Sequence, residues 1–135
     1  MSANERTGWR DEKLSLRHRK WGCDCPAVDI DFLVIEYDEA EPKALVEYKH
    51  IEKGEVDFTD ANYRTLTNLA NAASLPFFNV RYSDDLRAYY ISPINELARS
   101  FLGECRLMAE RQYVEFLYLL RGRVLPSRLA ATLYQ

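Results

Sequence analysis

Two closely spaced apolar runs constrain this chain more than any other feature. They are Val28-Asp29-Ile30-Asp31-Phe32-Leu33-Val34-Ile35 and Ala44-Leu45-Val46-Glu47-Tyr48-Lys49. β-Branched and aromatic residues dominate both, as in strands. The segment Asp38-Glu39-Ala40-Glu41-Pro42 between them is polar and suits a hairpin loop of about five residues. Side chains alternate across a strand, so Asp31, Leu33, Ile35 and Tyr37 share one face and Ile30, Phe32 and Val34 the other. On the second run Lys43, Leu45, Glu47 and Lys49 share a face, opposite Ala44, Val46 and Tyr48. Both faces are apolar over most of their length. Strands of that kind are covered by helices on each side, in an α/β or mixed sandwich.

Three charges interrupt this pattern. A charged group in a buried strand costs free energy unless it is paired or used. Pairing Tyr37 with Lys43 sets Asp31 directly opposite Lys49 and diagonal to Glu47, at Cβ separations of roughly 5 Å and 7 Å. Carboxylates that close can hold one cation. Mg²⁺ prefers oxygen ligands and keeps several waters, so Asp31, Glu47 and the backbone carbonyl of Tyr48 form a sufficient protein contribution. Lys49 would orient the attacking water or stabilise developing negative charge. The competing account is a surface ion pair between Lys49 and Asp31, worth little.

Asp31, an apolar strand, a turn and then Glu47-Tyr48-Lys49 resemble the signature of the PD-(D/E)XK nuclease superfamily. The resemblance covers about residues 5–94 and rests on a short motif. It implies the restriction-endonuclease-like fold, in which the aspartate and the Glu-x-Lys pair occupy adjacent strands of an αβββαβ core. It implies Mg²⁺ as cofactor, with Mn²⁺ as a substitute, held by Asp31, Glu47 and Tyr48, and Lys49 as the catalytic lysine. The Pro-Asp pair is absent, since Pro26 precedes Asp29 by three residues. Asp31 is preferred to Asp29 because it shares the Glu47 and Lys49 face in the hairpin; Asp29 lies one step further out as an accessory. An acidic residue on the first helix, Glu12 or Glu5, is a further accessory candidate, and His18 a candidate acid or base.

The basic run Arg17-His18-Arg19-Lys20-Trp21 is the densest in the chain. Arg17, Arg19 and Lys20 suit phosphate contacts, and Trp21 a base or sugar. A solvated helix end explains the same run equally well. A net charge of −3 argues against broad nonspecific nucleic-acid binding without excluding a nuclease.

Elsewhere the pattern predicts a first helix over about 9–20. It also predicts a helix capped by Thr59 with a stripe of Leu66, Leu69, Ala70 and Ala73, ending before Pro76. The resemblance places this helix at the border of the active site, where Tyr63 or Arg64 would touch the substrate; surface solvation is the favoured role for both. A strand over 76–82, a turn at Ser83-Asp84-Asp85 and a return strand over 86–91 follow. Ile94, Leu97, Ala98, Phe101 and Leu102 then form a short amphipathic helix. Further helices run over about 108–121 and from Pro126-Ser127 onward. The chain of 135 residues reads as a single domain, with a nuclease-like core over about 9–94 and a helical extension over about 95–135. That extension carries apolar surface that would suit a homodimer cutting both strands of a duplex, or simple packing on the core.

No apolar run is long enough to span a membrane, and no secretory leader is evident. An odd count of three cysteines points to a reducing cytoplasm. Cys23-Asp24-Cys25 supplies too few ligands for zinc. The expected activity is an endonuclease or nickase on DNA, with RNA also open as substrate. The alternatives are a catalytically inactive nucleic-acid or protein-binding module, and an oligomerisation domain whose trio is an ion-pair network.

Overall fold

The structure, a computed structural model, describes residues 12–21 and 26–133. Glu5 and the Cys23-Asp24-Cys25 motif lie outside the described residues, as does the start of the expected first helix. The elements run α1 (Glu12–Trp21), β1 (Phe32–Glu36), β2 (Glu41–His50), α2 (Ala61–Ala72), β3 (Phe77–Tyr82), β4 (Ala88–Pro93), α3 (Glu96–Phe101), β5 (Arg106–Ala109), α4 (Glu110–Leu120) and α5 (Ser127–Leu133). They build an α/β arrangement with a five-stranded mixed sheet in the order β1-β2-β3-β4-β5. Only β2 and β3 pair in parallel, joined through α2; every other neighbouring pair is antiparallel.

Alternation along β2 and β3 explains the two covering layers. Ala44, Val46, Phe78 and Val80 pack beneath Ala98, Leu102, Tyr113, Phe116 and Leu120, from α3, the residue after it, and α4. On the opposite face Leu45 and Phe77 pack against Tyr63, Leu66 and Ala70 of α2. Strands β2 and β3 are thus covered on both sides, as their sequence requires. Strand β1 is not. It lies at the sheet margin, and its Phe32, Leu33 and Ile35 are 55%, 44% and 41% exposed.

Helix α2 begins one residue later than the sequence suggests. Asp60 is the cap, accepting the Tyr63 N–H at 2.9 Å, while Thr59 bonds back to Asp57. Leu69 and Ala73 are exposed, so the buried stripe is Tyr63, Leu66 and Ala70. Strand β5 was not anticipated from the sequence. It adds a fifth strand to the sheet, and α4, which follows it directly, covers one face of the core.

At the turn end of β1, Glu36 is buried and meets two arginines from the segment after α4. Arg123 Nε and Nη2 donate to its two oxygens at 2.9 and 2.8 Å, and Arg121 Nη2 approaches at 3.5 Å. This fork ties the edge strand to the C-terminal helices.

Candidate active site

The site lies at the C-terminal end of β2, where the antiparallel β1 begins. Phe32 pairs with Val46, so the residue before it, Asp31, falls level with Glu47. This register differs by two residues from the one the sequence suggests, in which Asp31 faces Lys49. Two local features cause the shift. The turn is only four residues, 37–40, closed by the Ala40 N–H on the Tyr37 carbonyl at 3.2 Å with Ala40 at a φ of 54°. A bulge between Val34 and Ile35 then inserts one extra residue on β2. A shift of two leaves every side chain on its expected face. Asp31, Glu47 and Lys49 therefore still converge, with Glu47 rather than Lys49 next to the aspartate.

The contact between the two acidic residues is a reciprocal clasp. The Asp31 N–H donates to Glu47 Oε1 at 3.1 Å, and the Tyr48 N–H donates to Asp31 Oδ2 at 2.9 Å. One backbone donor from each strand end is thereby satisfied by a carboxylate of the other, which fixes both side chains and the peptide that leads into Lys49.

Glu47 is only 8% exposed. Burial pushes its carboxyl up to about 7, the Asp31 N–H bond opposes that rise, and the neighbouring Asp31 charge adds to it. The Lys49 ammonium also favours the ionised form, as the weakest of these influences.

A buried polar pair adjoins the clasp. Asn79 is aligned with Glu47 across the parallel β2–β3 ladder and is 1% exposed. Its Oδ1 accepts the Tyr63 hydroxyl at 2.6 Å, and among the described residues its Nδ2 has no hydrogen-bond partner. The Tyr63 hydroxyl is held well above the ordinary tyrosine range by burial, reinforced by the charges of Glu47, Asp31 and Asp60. The sequence reading assigned Tyr63 to solvent, and the structure corrects this. The i, i+3 and i+7 spacing of Tyr63, Leu66 and Ala70 carries the signal. Nothing in the sequence marks Asn79, an amide inside an apolar strand.

Beside the clasp opens a cavity of ≈ 1000 Å³, walled by Asp31, Lys49, Asp60 and Tyr63 on one side of the sheet end and by Tyr48, His50 and Tyr82 on the other. Glu47 is not on this wall; it is buried beside Asp31. None of Glu12, Arg17, His18, Arg19, Lys20 or Trp21 lines the cavity. These side chains lie exposed on α1, with His18 and Trp21 in edge-to-face contact at 4.8 Å. Asp29 is exposed and also off the wall. The structure thus joins Asp31, Glu47, Tyr48 and Lys49, adds Tyr63 and Asn79, and leaves the basic run, Glu12 and Asp29 off the cavity wall.

Two carboxylates suit a hard divalent cation that retains most of its water. Among the described residues no group of three or more His, Cys, Asp and Glu side chains is placed to hold a metal ion. A cation here would rest on Asp31, Glu47, the Tyr48 carbonyl and water. The donors fit that role chemically: all are oxygens.

No protein-family model, curated protein or solved structure matches this chain. Among the described residues no helix is long and apolar enough to cross a membrane.

Proposed function

We propose that this protein is a Mg²⁺-dependent endonuclease or nickase acting on DNA, with a PD-(D/E)XK-type site in a restriction-endonuclease-like fold. The observation that carries the reading is the clasp between Asp31 and Glu47, with Lys49 two residues beyond and facing the same cavity. The β1–β2 hairpin followed by a helical crossover to a parallel β3 agrees with the later part of the αβββαβ core. Two strands rather than three precede the crossover helix among the described residues.

In this reading Asp31 and Glu47 hold the metal, helped by the Tyr48 carbonyl. When bound, the cation lowers the pKa of a coordinated water and offsets charge on the scissile phosphate. Lys49 orients the attacking water and stabilises the charge that develops as it adds. Asn79 and Tyr63 brace the floor beside Glu47. A pair of chains associated through their C-terminal helices would bring two such sites to one nucleic acid.

The test is incubation with supercoiled, linear, single-stranded and branched DNA, and with RNA, in Mg²⁺, Mn²⁺ or EDTA. Cleavage that requires the metal and is lost in Lys49→Ala supports the proposal. No metal-dependent cleavage on any substrate, or cleavage unchanged in Lys49→Ala, rejects it. Binding without cleavage would favour an inactive binding module.

A further inference from the structure

The cavity wraps around the end of the sheet, and its two halves differ in chemistry. The half on the Asp31 and Lys49 face is charged. The other half is aromatic: Tyr48, His50, Tyr82, Tyr89 and Tyr113 line it together with Phe32 at the mouth. The deeper rings are committed to one another. Tyr89 stacks on Tyr113 with centroids 4.6 Å apart and planes at 15°, and the hydroxyls of Tyr48 and Tyr113 are hydrogen-bonded together. Tyr82, the last residue of β3, makes edge-on ring contacts among the described residues, to Tyr48 at 6.2 Å and His50 at 5.3 Å. It is half-buried at the wall.

We infer that this aromatic half is a stacking subsite for one unpaired nucleobase, with Tyr82 as its platform, so that the substrate is a single strand or an unpaired nucleotide at a junction or end. The inference rests on the nuclease reading for the identity of the ligand.

Three observations carry it. A pocket of this volume holds a ligand of nucleotide size and not a double helix. One step along β2, about 3.8 Å between Cα atoms, leads from Lys49 to Tyr48 or His50 on the opposite face. Both faces border one cavity at the end of the sheet, so a phosphate beside Lys49 and a base at the aromatic wall can belong to one ligand. Charge excludes the usual duplex footprint: Asp31, Glu55, Asp60 and Glu110 line the cavity against Lys49, Lys53 and one histidine. A surface that tracks duplex phosphates is strongly basic. This one is not, so affinity must come from a π-face that any base can use.

The test measures binding by fluorescence anisotropy with a labelled single-stranded DNA, the matching RNA and the blunt duplex of the same sequence. Lys49→Ala protein in Mg²⁺ serves as the background, so that cleavage does not consume the probe. Expected are single strands of either sugar binding at least about tenfold tighter than duplex, and an approximately tenfold loss for single strands in Tyr82→Leu. Tyr82→Trp restores the affinity. Thermal melts check that each variant is folded, and Tyr82→Thr, a good strand former without a ring, substitutes if Tyr82→Leu is not. Equal affinity for duplex and single strand, or a folded Tyr82→Leu that binds as its parent does, overturns the inference. The nuclease reading fails separately: protein with Lys49 intact that cleaves nothing yet binds single strands through Tyr82 ends that reading alone. Cleavage of intact duplex without Tyr82 dependence ends the stacking subsite alone.

Discussion

Glu36 and Glu47 are both buried carboxylates of the same hairpin, one at each end, and their surroundings are opposite. Glu36 receives a two-pronged hydrogen bond from Arg123, with Arg121 close by. That guanidinium holds its carboxyl below the usual range, chiefly through the hydrogen bond. Glu47 receives one backbone N–H, stands beside a second carboxylate, and is pushed up to about 7 by burial. A buried acid already satisfied by arginine has nothing left to offer a ligand. One held out of solvent next to another acid is where a cation would gain most. Burial alone would not have separated the two; their partners do.

The comparison can be broken at several points. The largest effect is expected at the Glu47 end: Lys49→Ala should lower metal-dependent cleavage on the order of 100-fold or more, about 3 kcal/mol of barrier. It should leave the melting temperature nearly unchanged. A Lys49→Ala enzyme with normal turnover on the substrate panel would remove the functional side of the contrast.

At the Glu36 end the effects should exchange places. Arg123→Ala leaves a buried carboxylate with the 3.5 Å approach of Arg121 and the Asp38 backbone N–H. It should lower the melting temperature by several degrees while cleavage per folded molecule is kept. Equal loss of specific activity in a folded Arg123→Ala protein would show that the fork serves the site as well.

The two acids should also give opposite pH dependences of stability. Glu47 has a raised folded pKa, so between about 4.5 and about 7 the folded state holds more protons than the unfolded one. Stability of the metal-free protein should therefore fall as pH rises through that window, by on the order of 2–3 kcal/mol. Glu47→Gln should flatten this slope, and Mg²⁺ should counter it by binding the ionised form. Glu36 has a lowered folded pKa, so its contribution is present above about 4.5 and is lost as pH falls below. Denaturant midpoints between pH 3 and 8, with each glutamate replaced in turn, separate the two slopes.

The smallest effect is expected at the floor beside Glu47. Tyr63→Phe removes the hydroxyl that donates to Asn79 Oδ1 and should cost about 1–2 kcal/mol. Combining it with Asn79→Leu should recover much of that loss, because both polar groups are then gone. A double variant as stable as the parent but weaker in metal-dependent cleavage would extend the functional end of the hairpin to these two residues.

The faces of the hairpin were legible from alternation alone, which is why Asp31, Glu47 and Lys49 could be grouped without a structure. Their register was not legible. It depends on a four-residue turn with a left-handed Ala40, a residue that gives no turn signal, and on a bulge that propensity does not mark. β5 escaped because Arg106–Ala109 is four residues long and runs directly into α4. Asn79 and the Glu36–Arg123 fork escaped for another reason. Both depend on which elements meet in space, and a single sequence records nothing of a contact between residues 36 and 123.

The position of β1 at the sheet margin has a consequence for timing. The strand that carries Asp31 pairs with β2 in the sheet and leaves Phe32, Leu33 and Ile35 largely in water. In hydrogen–deuterium exchange its amides should therefore open before those of β2 and β3, peeling the aspartate away from Glu47 while the rest of the sheet stays closed. A divalent ion shared by the two carboxylates would act as a staple across that seam. The protein would then finish assembling its site only when the cation arrives.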